Sequence, residues 1–334
     1  MKYRRLGLSN LQVSEICLGT MMFGDQTDVS EAAAMLDRAR ERGVNFIDTA
    51  DVYTAGAAER MLGPLVKRDR DEWVLATKVG NRMSGRPNES RYSRKWMIRA
   101  LESSLERLGT DYVDLWYLHR DFEDQNLEEA LRAADDLIRA GKVRYLGLSN
   151  FRGWRIAEVA RICDAAGLGR PAVCQPYYNL LNRMPEVEIL PSCANYGLGV
   201  VAYSPIARGV LAAKYRPGEA PGSDSRAGRS DKRFMETEWR EESLGIAQKI
   251  AGHAAQRGIS PVQFAVAWLL ANRIVTSVIA GPRTAAQWDE YFGAVDYAWS
   301  AEDEALVDSL VVPGHSSTPG YHDPSYPFFG RRVC

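Results

Sequence analysis

Eight short apolar runs, each followed by a segment with helical spacing, constrain this chain more than any other feature. The runs cover residues 15–18, 44–47, 73–77, 113–118, 143–148, 172–174, 199–202 and 275–279. Uninterrupted apolar strands of this kind are covered on both faces, as in a parallel sheet flanked by helices. Amphipathic patterns fall at 29–42, 57–67, 94–108, 127–139, 153–164, 184–195 and 241–256. Ser260 before Pro261 reads as an N-cap with proline at the first helical position, opening a helix through Leu270. Patterns at 284–292 and 301–309 close the series. A doubly wound sheet and a closed (β/α)8 (TIM) barrel both satisfy the alternation, and a count of eight within 334 residues favours the barrel. The whole chain, 1–334, then reads as one domain. It opens on a short hairpin (3–5 and 11–13, turning at Ser9 and Asn10) and ends in an irregular tail from about residue 313.

Two segments break the repeat. Residues 82–93 follow the third run, and residues 215–239, rich in Gly, Ser and charge, follow the seventh. In a barrel both lie on the rim where the strands end, and long loops there act as lids. The Pro- and Gly-rich tail drapes over a face.

Composition narrows the function by exclusion. With 42 basic against 43 acidic side chains, net charge exerts no pull toward nucleic acid or membrane. Cys17, Cys163, Cys174, Cys193 and Cys334 are odd in number and lack Cys-x-x-Cys spacing, so they read as free thiols in a reducing compartment. The start, MKYRRLGLSN, lacks the apolar run of a secretory signal, and no window reaches the roughly 18 apolar residues of a membrane helix. Four scattered histidines, His119, His253, His315 and His322, argue against a histidine-rich metal site. A cytoplasmic protein is expected.

The polar residues carry the chemistry. Asp48 ends the second run, with Tyr53 in the loop after it; Lys78 ends the third and His119 the fourth. Ser149 and Asn150 end the fifth, Gln175 the sixth, Tyr203 and Ser204 the seventh, and the eighth leads into Gly281 and Arg283. Taken singly, each has an ordinary explanation as a cap, a turn or a solvated charge. Together they form a ring at the strand ends, where barrel active sites are built.

A tyrosine with a reference pKa of about 10 is a poor proton donor near neutrality. Lys78 beside Tyr53 would favour the phenolate and lower that pKa, while Asp48 would hold the partly buried ammonium. His119 would bond and orient the same substrate oxygen. Such a device protonates an oxygen as it becomes an alkoxide, which is what carbonyl reduction needs once a hydride has arrived. Side chains supply no hydride, so a cofactor must. Ser149, Asn150 and Gln175 offer groups for a nicotinamide carboxamide, and Tyr203 a flat surface for its ring. Ser204 and Arg208 suit a pyrophosphate. Arg283, at a helix start, suits a phosphate, favouring NADPH/NADP over NADH. GLGVVA (197–202) matches a dinucleotide fingerprint in form only, because it leads into a strand instead of leaving one.

These residues resemble the aldo-keto reductase family, in its bacterial and potassium-channel-β-like branch. The resemblance runs through NFIDTADVYTAG, SLERLGTDYVDLWYLHR, GKVRYLGLSNF, QPYYNLLNR, VVAYSPIARGVL and VIAGPRTAAQ. It implies a (β/α)8 barrel, NAD(P)H-dependent reduction of aldehydes and ketones, and a tetrad of Asp48, Tyr53, Lys78 and His119. It also implies nicotinamide contacts from Ser149, Asn150, Gln175 and Tyr203, and a 2′-phosphate near Arg283. The family's adenine-side pattern ends in Gln followed four residues later by Asn; here Gln287 is followed by Tyr291.

Phe23, Tyr53, Trp116, Phe122 and Tyr178 are the candidates for a substrate wall, and an aromatic wall suits bulky apolar carbonyl compounds. The expected partners are a small carbonyl compound and, as an open alternative, further copies of the chain. Two other readings stand beside the reductase: a cofactor-bound regulatory subunit with little turnover, and a metal-assisted barrel enzyme.

Overall fold

Strands that are apolar on both faces need cover on both, and a sheet closed on itself provides it. In a computed structural model of the protein, which describes residues 1–223 and 225–327, eight parallel strands close in this way. A hairpin of β1 (Tyr3–Arg5) and β2 (Gln12–Ser14) precedes the barrel strands β3 (Ile16–Gly19), β4 (Phe46–Asp48), β5 (Val74–Val79) and β6 (Val113–Leu118). β7 (Val143–Ser149), β8 (Val173–Gln175), β9 (Gly199–Ala202) and β10 (Val275–Ala280) follow, and β10 pairs back onto β3, Val278 opposite Ile16. The helices α1 (Val29–Glu41), α2 (Ala57–Val66), α3 (Arg94–Leu108), α4 (Leu127–Arg139), α5 (Gly153–Ala166) and α6 (Ile189–Tyr196) lie between the strands. α7 (Lys232–Thr237), α8 (Glu241–Gln256) and α9 (Pro261–Ala271) precede β10; α10 (Ala285–Phe292) and α11 (Ala301–Leu310) come after it.

Local chemistry starts these helices where the sequence suggests. Side chains of Asp28, Ser93, Asn126 and Thr284 accept from the first-turn backbone of α1, α3, α4 and α10. Ser260 and Gln263 form a reciprocal capping box around Pro261. One helix departs from expectation. Residues 184–195 divide into a short 3-10 turn, Met184–Glu186, and α6. Pro191 has no N–H to give and its ring collides with a carbonyl four residues back, so it fits only in a first turn. The helix therefore starts at Ile189.

Strand alternation sorts the core into two shells. Cys17, Phe46, Val74, Ala76, Leu115, Tyr117, Val173, Val201 and Ile279 fill the barrel interior, joined by Leu6 and Val13 of the hairpin region. Ile16, Leu18, Ile47, Leu75, Val79, Trp116 and Leu118 face outward into the cluster shared with the helices. The hairpin closes the N-terminal mouth. Arg4 anchors it, bonding Glu15 (2.7 Å) and the carbonyls of Leu270 (2.9 Å) and Val275 (2.7 Å). Gly7 lies so close to the backbone of Gly197 that a Cβ there would sit 2.4 Å from its carbonyl oxygen. Gly197 ends α6 in a left-handed conformation (φ 74°) and Gly199 enters β9, so the glycines of the false fingerprint close a helix and open a strand.

The segment at 215–239 is not structureless. Asp231 caps α7, and Phe234 packs with Tyr215 and Trp239 at centroid distances of 5.4 and 6.0 Å. From residue 313 the tail carries no helix or strand up to residue 327; its remainder, including Cys334, lies outside the described residues. Cys17, Cys163, Cys174 and Cys193 are buried and free. Among the described residues no helix is long and apolar enough to cross a membrane, and no cluster of three His, Cys, Asp or Glu could hold a metal ion.

Candidate active site

Inward parity determines which side chains arrive at the C-terminal mouth. Residues 46 and 48 on β4, 74, 76 and 78 on β5, and 115 and 117 on β6 with 119 just beyond all point into the barrel. The lower members of each series are apolar and fill the interior; the uppermost are Asp48, Lys78 and His119. The strands run one or two residues further than their apolar runs, so Asp48, Lys78, Ser149 and Gln175 all belong to strands and are buried.

Lys78 organises the site. Its ammonium pairs with Asp48, donates to the Thr49 carbonyl (2.7 Å), and lies 3.2 Å from the Tyr53 hydroxyl. Burial alone would strip its proton; Asp48 and Tyr53 outweigh that and raise its pKa above the ordinary lysine value, so it is charged. Gln175 Nε2 donates to the other Asp48 oxygen (2.8 Å), holding the carboxylate from a second side.

The phenol behaves differently from the sequence expectation. Burial raises the Tyr53 pKa, Asp48 raises it further, and the pull of Lys78 downward does not make up the difference. The expectation weighed the ammonium without the loss of water around the ring. Tyr53 is thus a protonated phenol at neutrality. The His119 ring stands edge-on to it (centroids 6.1 Å apart, 80°). Burial, with Lys78 and Arg120 nearby, pushes the His119 pKa well below its ordinary value, and Nδ1 is buried without a partner. The imidazole is neutral.

Asp48, Tyr53 and His119 open onto a cleft of about 410 Å³. The same cleft is lined by Ser149, Asn150, Gln175, Tyr203, Ser204, Arg208, Gly281, Arg283 and Gln287, all nine residues expected to meet a cofactor. Two of these amides already have work within the protein. Besides Gln175 on Asp48, Asn150 donates to the His119 carbonyl (2.9 Å) and accepts from Tyr203 (2.7 Å). The loop after β9 carries left-handed, non-glycine backbone at Ser204 (φ 56°), Ala207 (φ 46°) and Arg208 (φ 51°), strain that is typical of ligand-binding sites.

Sequence reading missed Lys214 and Arg226, which line the cleft with Arg208 and Arg283. Burial lowers the Arg226 pKa, and Arg208 and Arg283 add like-charge repulsion that its 3.2 Å pair with Asp231 does not remove. Cations crowded like this fit an anionic ligand, with Arg208 steadied by an ion pair from its Nε to the buried Glu238 carboxylate (3.5 Å). The cleft thus suits a phosphate-bearing dinucleotide. Tyr291, where the resemblance leads one to expect Asn, is buried and lines the same cleft beside Gln287.

The aromatic wall needs correction. Trp116 has the wrong parity: lying between the inward residues 115 and 117, it faces the helices and is fully buried there. Phe23 is buried in the same outer cluster, and Tyr178 packs on Trp268 with its hydroxyl on Glu186 (2.8 Å). Neither lines the cleft. Phe122 lines a second cavity alongside, where Tyr177 stands in place of Tyr178.

Comparison with known proteins agrees with this geometry. The family model described as "Aldo/keto reductase family" matches residues 15–312. A probable voltage-gated potassium channel subunit beta of Oryza sativa subsp. japonica is 37% identical over 96% of this chain and 100% of its own length. An uncharacterised oxidoreductase of Bacillus subtilis is 34% identical over 96% of this chain and 98% of its own. The L-glyceraldehyde 3-phosphate reductase of Escherichia coli O157:H7 is 33% identical, over 94% and 93% respectively.

Proposed function

Since the chain belongs to the aldo/keto reductase family, we propose that it is an NADPH-dependent reductase of aldehyde or ketone carbonyls, with Tyr53 as proton donor. One observation carries the reading: a charged Lys78 held by Asp48 lies 3.2 Å from the hydroxyl of a protonated Tyr53 at the wall of a cation-lined cleft. Bound NADPH would supply the hydride. Ser149, Asn150, Gln175 and Tyr203 would hold its nicotinamide end, Ser204 and Arg208 its pyrophosphate, and Arg226, Arg283 and Gln287 its 2′-phosphate and adenosine end.

The substrate carbonyl oxygen docks between the Tyr53 hydroxyl and the neutral His119 ring. As charge grows on that oxygen, Tyr53 donates its proton, and Lys78 stabilises the phenolate left behind. An ammonium fixed before the reaction begins needs no reorganisation during it, so its benefit falls on the transition state. The E. coli relative is named for an aldehyde substrate. The chain is read as one domain, and buried free thiols are in keeping with the cytoplasm.

The test is substrate-dependent loss of reduced-nicotinamide absorbance across a panel of aldehydes and ketones. Tyr53→Phe should lower kcat/KM by about 10²- to 10⁴-fold with little change in Tm. The rice relative's name favours a second reading, a regulatory subunit with little turnover. Wild-type protein that binds NADPH yet oxidises it with no carbonyl compound would select that one.

A further inference from the structure

Beside the catalytic cleft lies a cavity of about 870 Å³. Its walls include Phe122, Phe151, Trp154, Tyr177, Met184 and Val187, an aromatic and aliphatic lining. Among the described residues, Arg120, Asn150, Ser325 and Tyr326 line both cavities. Two of these four come from the tail, which lies beyond the residues matched by the family model. The partition between the spaces is therefore shared by the loops after β6 and β7 and by the tail.

The tail is laid across the mouth as a strap and fastened by arginines from separate loops. Arg233 of α7 forks Asp323 (2.7 Å to Oδ1) and donates to the Ser325 hydroxyl (3.0 Å). Arg120, next to His119, donates to the Ser325 carbonyl (2.8 Å), with Phe122 at 5.3 Å and Tyr326 at 5.2 Å from its guanidinium. Arg240 stacks 3.9 Å over Tyr321, and Arg152 bonds the Pro327 carbonyl. Residues 321–327 are half-buried or exposed, with no fully buried apolar anchor. Charge and hydrogen bonds at a surface hold this strap, and such contacts open at modest cost.

Size gives the partition its meaning. A cleft of about 410 Å³ that must receive a dinucleotide leaves room for a carbonyl and little of the body attached to it. The neighbouring 870 Å³ is ample for a drug-sized molecule.

We propose that the larger cavity is a distal substrate subsite for carbonyl compounds with an aromatic or other bulky apolar body, and that Tyr326 is the partition deciding whether that body passes from the catalytic cleft into it. The proposal rests on the reductase reading of the cleft. Small aldehydes react with the strap fastened. Bulky ones need Tyr326 to swing aside, which the Asp323–Arg233 latch opposes.

The experiment compares kcat/KM for 2-naphthaldehyde and propanal, with NADPH, in wild type, Tyr326→Ala and Asp323→Asn. The ratio of bulky to small should rise roughly tenfold or more in Tyr326→Ala, and in the same direction by less in Asp323→Asn. Calorimetric titration of the NADP-loaded protein with 2-naphthylmethanol, which needs no turnover, should show tighter binding in both variants. A selectivity ratio within twofold of wild type in both variants, with unchanged naphthylmethanol affinity, overturns the partition. Tighter naphthylmethanol binding without NADPH oxidation by any carbonyl upholds the partition and removes the reductase reading instead.

Discussion

At the N-terminal mouth of the barrel, Leu6 and Val13 lie across the strand ends and join Cys17, Phe46 and Val74 in an interior without charge. At the C-terminal mouth the same inward parity delivers Asp48, Lys78 and His119, with Lys78 fully buried. The two ends share strands, spacing and burial and differ in what burial does. Below, removal from water is the stabilising term, about 25 cal/mol per Å² of apolar surface. Above, the same removal opposes every charge, so Asp48 and Lys78 persist only as a pair, with Gln175 and the Thr49 carbonyl completing their bonds. The lower mouth contributes stability, and the upper spends some of it on groups held in reactive states.

That contrast can be broken most forcefully at Lys78. Lys78→Met leaves the Asp48 carboxylate buried without its cation and should cost about 3–5 kcal/mol of stability along with the activity. Adding Asp48→Asn should restore much of the Tm and none of the turnover; restored turnover would mean that the pair serves only folding. Denaturant melts and NADPH oxidation on the three proteins decide this. Leu6→Ala, at the opposite mouth, should cost about 2–4 kcal/mol while leaving kcat near wild type. A kcat loss matching the stability loss would show that the mouths are not separable.

The smallest effect sharpens the comparison at a group the chemistry does not use. Asp51, in the loop after β4, is buried with both carboxylate oxygens unpartnered, and burial with Glu59 nearby lifts its pKa to about 8. The unfolded chain releases this proton near the reference value of about 3.9. Between those limits the folded state binds a proton that the unfolded state has lost, so stability falls as pH rises from about 4 to about 8. Asp51→Asn removes the titration. It should gain on the order of 1–3 kcal/mol at neutral pH and nothing near pH 4. A Tm difference between variant and wild type that stays flat from pH 4 to 8 would rule out this proton.

Much of the barrel could be read directly because strand and helix periods are local. The eight runs, the cap at Ser260, and the ring from Asp48 to Arg283 need only nearest neighbours along the chain. Trp116 was an avoidable error, since counting by twos from His119 passes through Tyr117 and Leu115 and misses it. Tyr177 and Tyr178 differ in the same way, one residue apart and facing different spaces. Helix α7 was harder. Its stability comes from Phe234 packing on Tyr215 and Trp239, a contact that no period announces.

By itself the sequence determined the closed parallel barrel, the family, and the residue types offered at each strand end, because alternation and spacing act through bonds to neighbours. Tertiary structure alone decided the proton on Tyr53, the crowding of Arg226 between Arg208 and Arg283, and the strap that sets Tyr326 between two cavities. Those outcomes depend on how much water is excluded and on which distant charges share the space left behind, and both quantities exist only once the chain has closed.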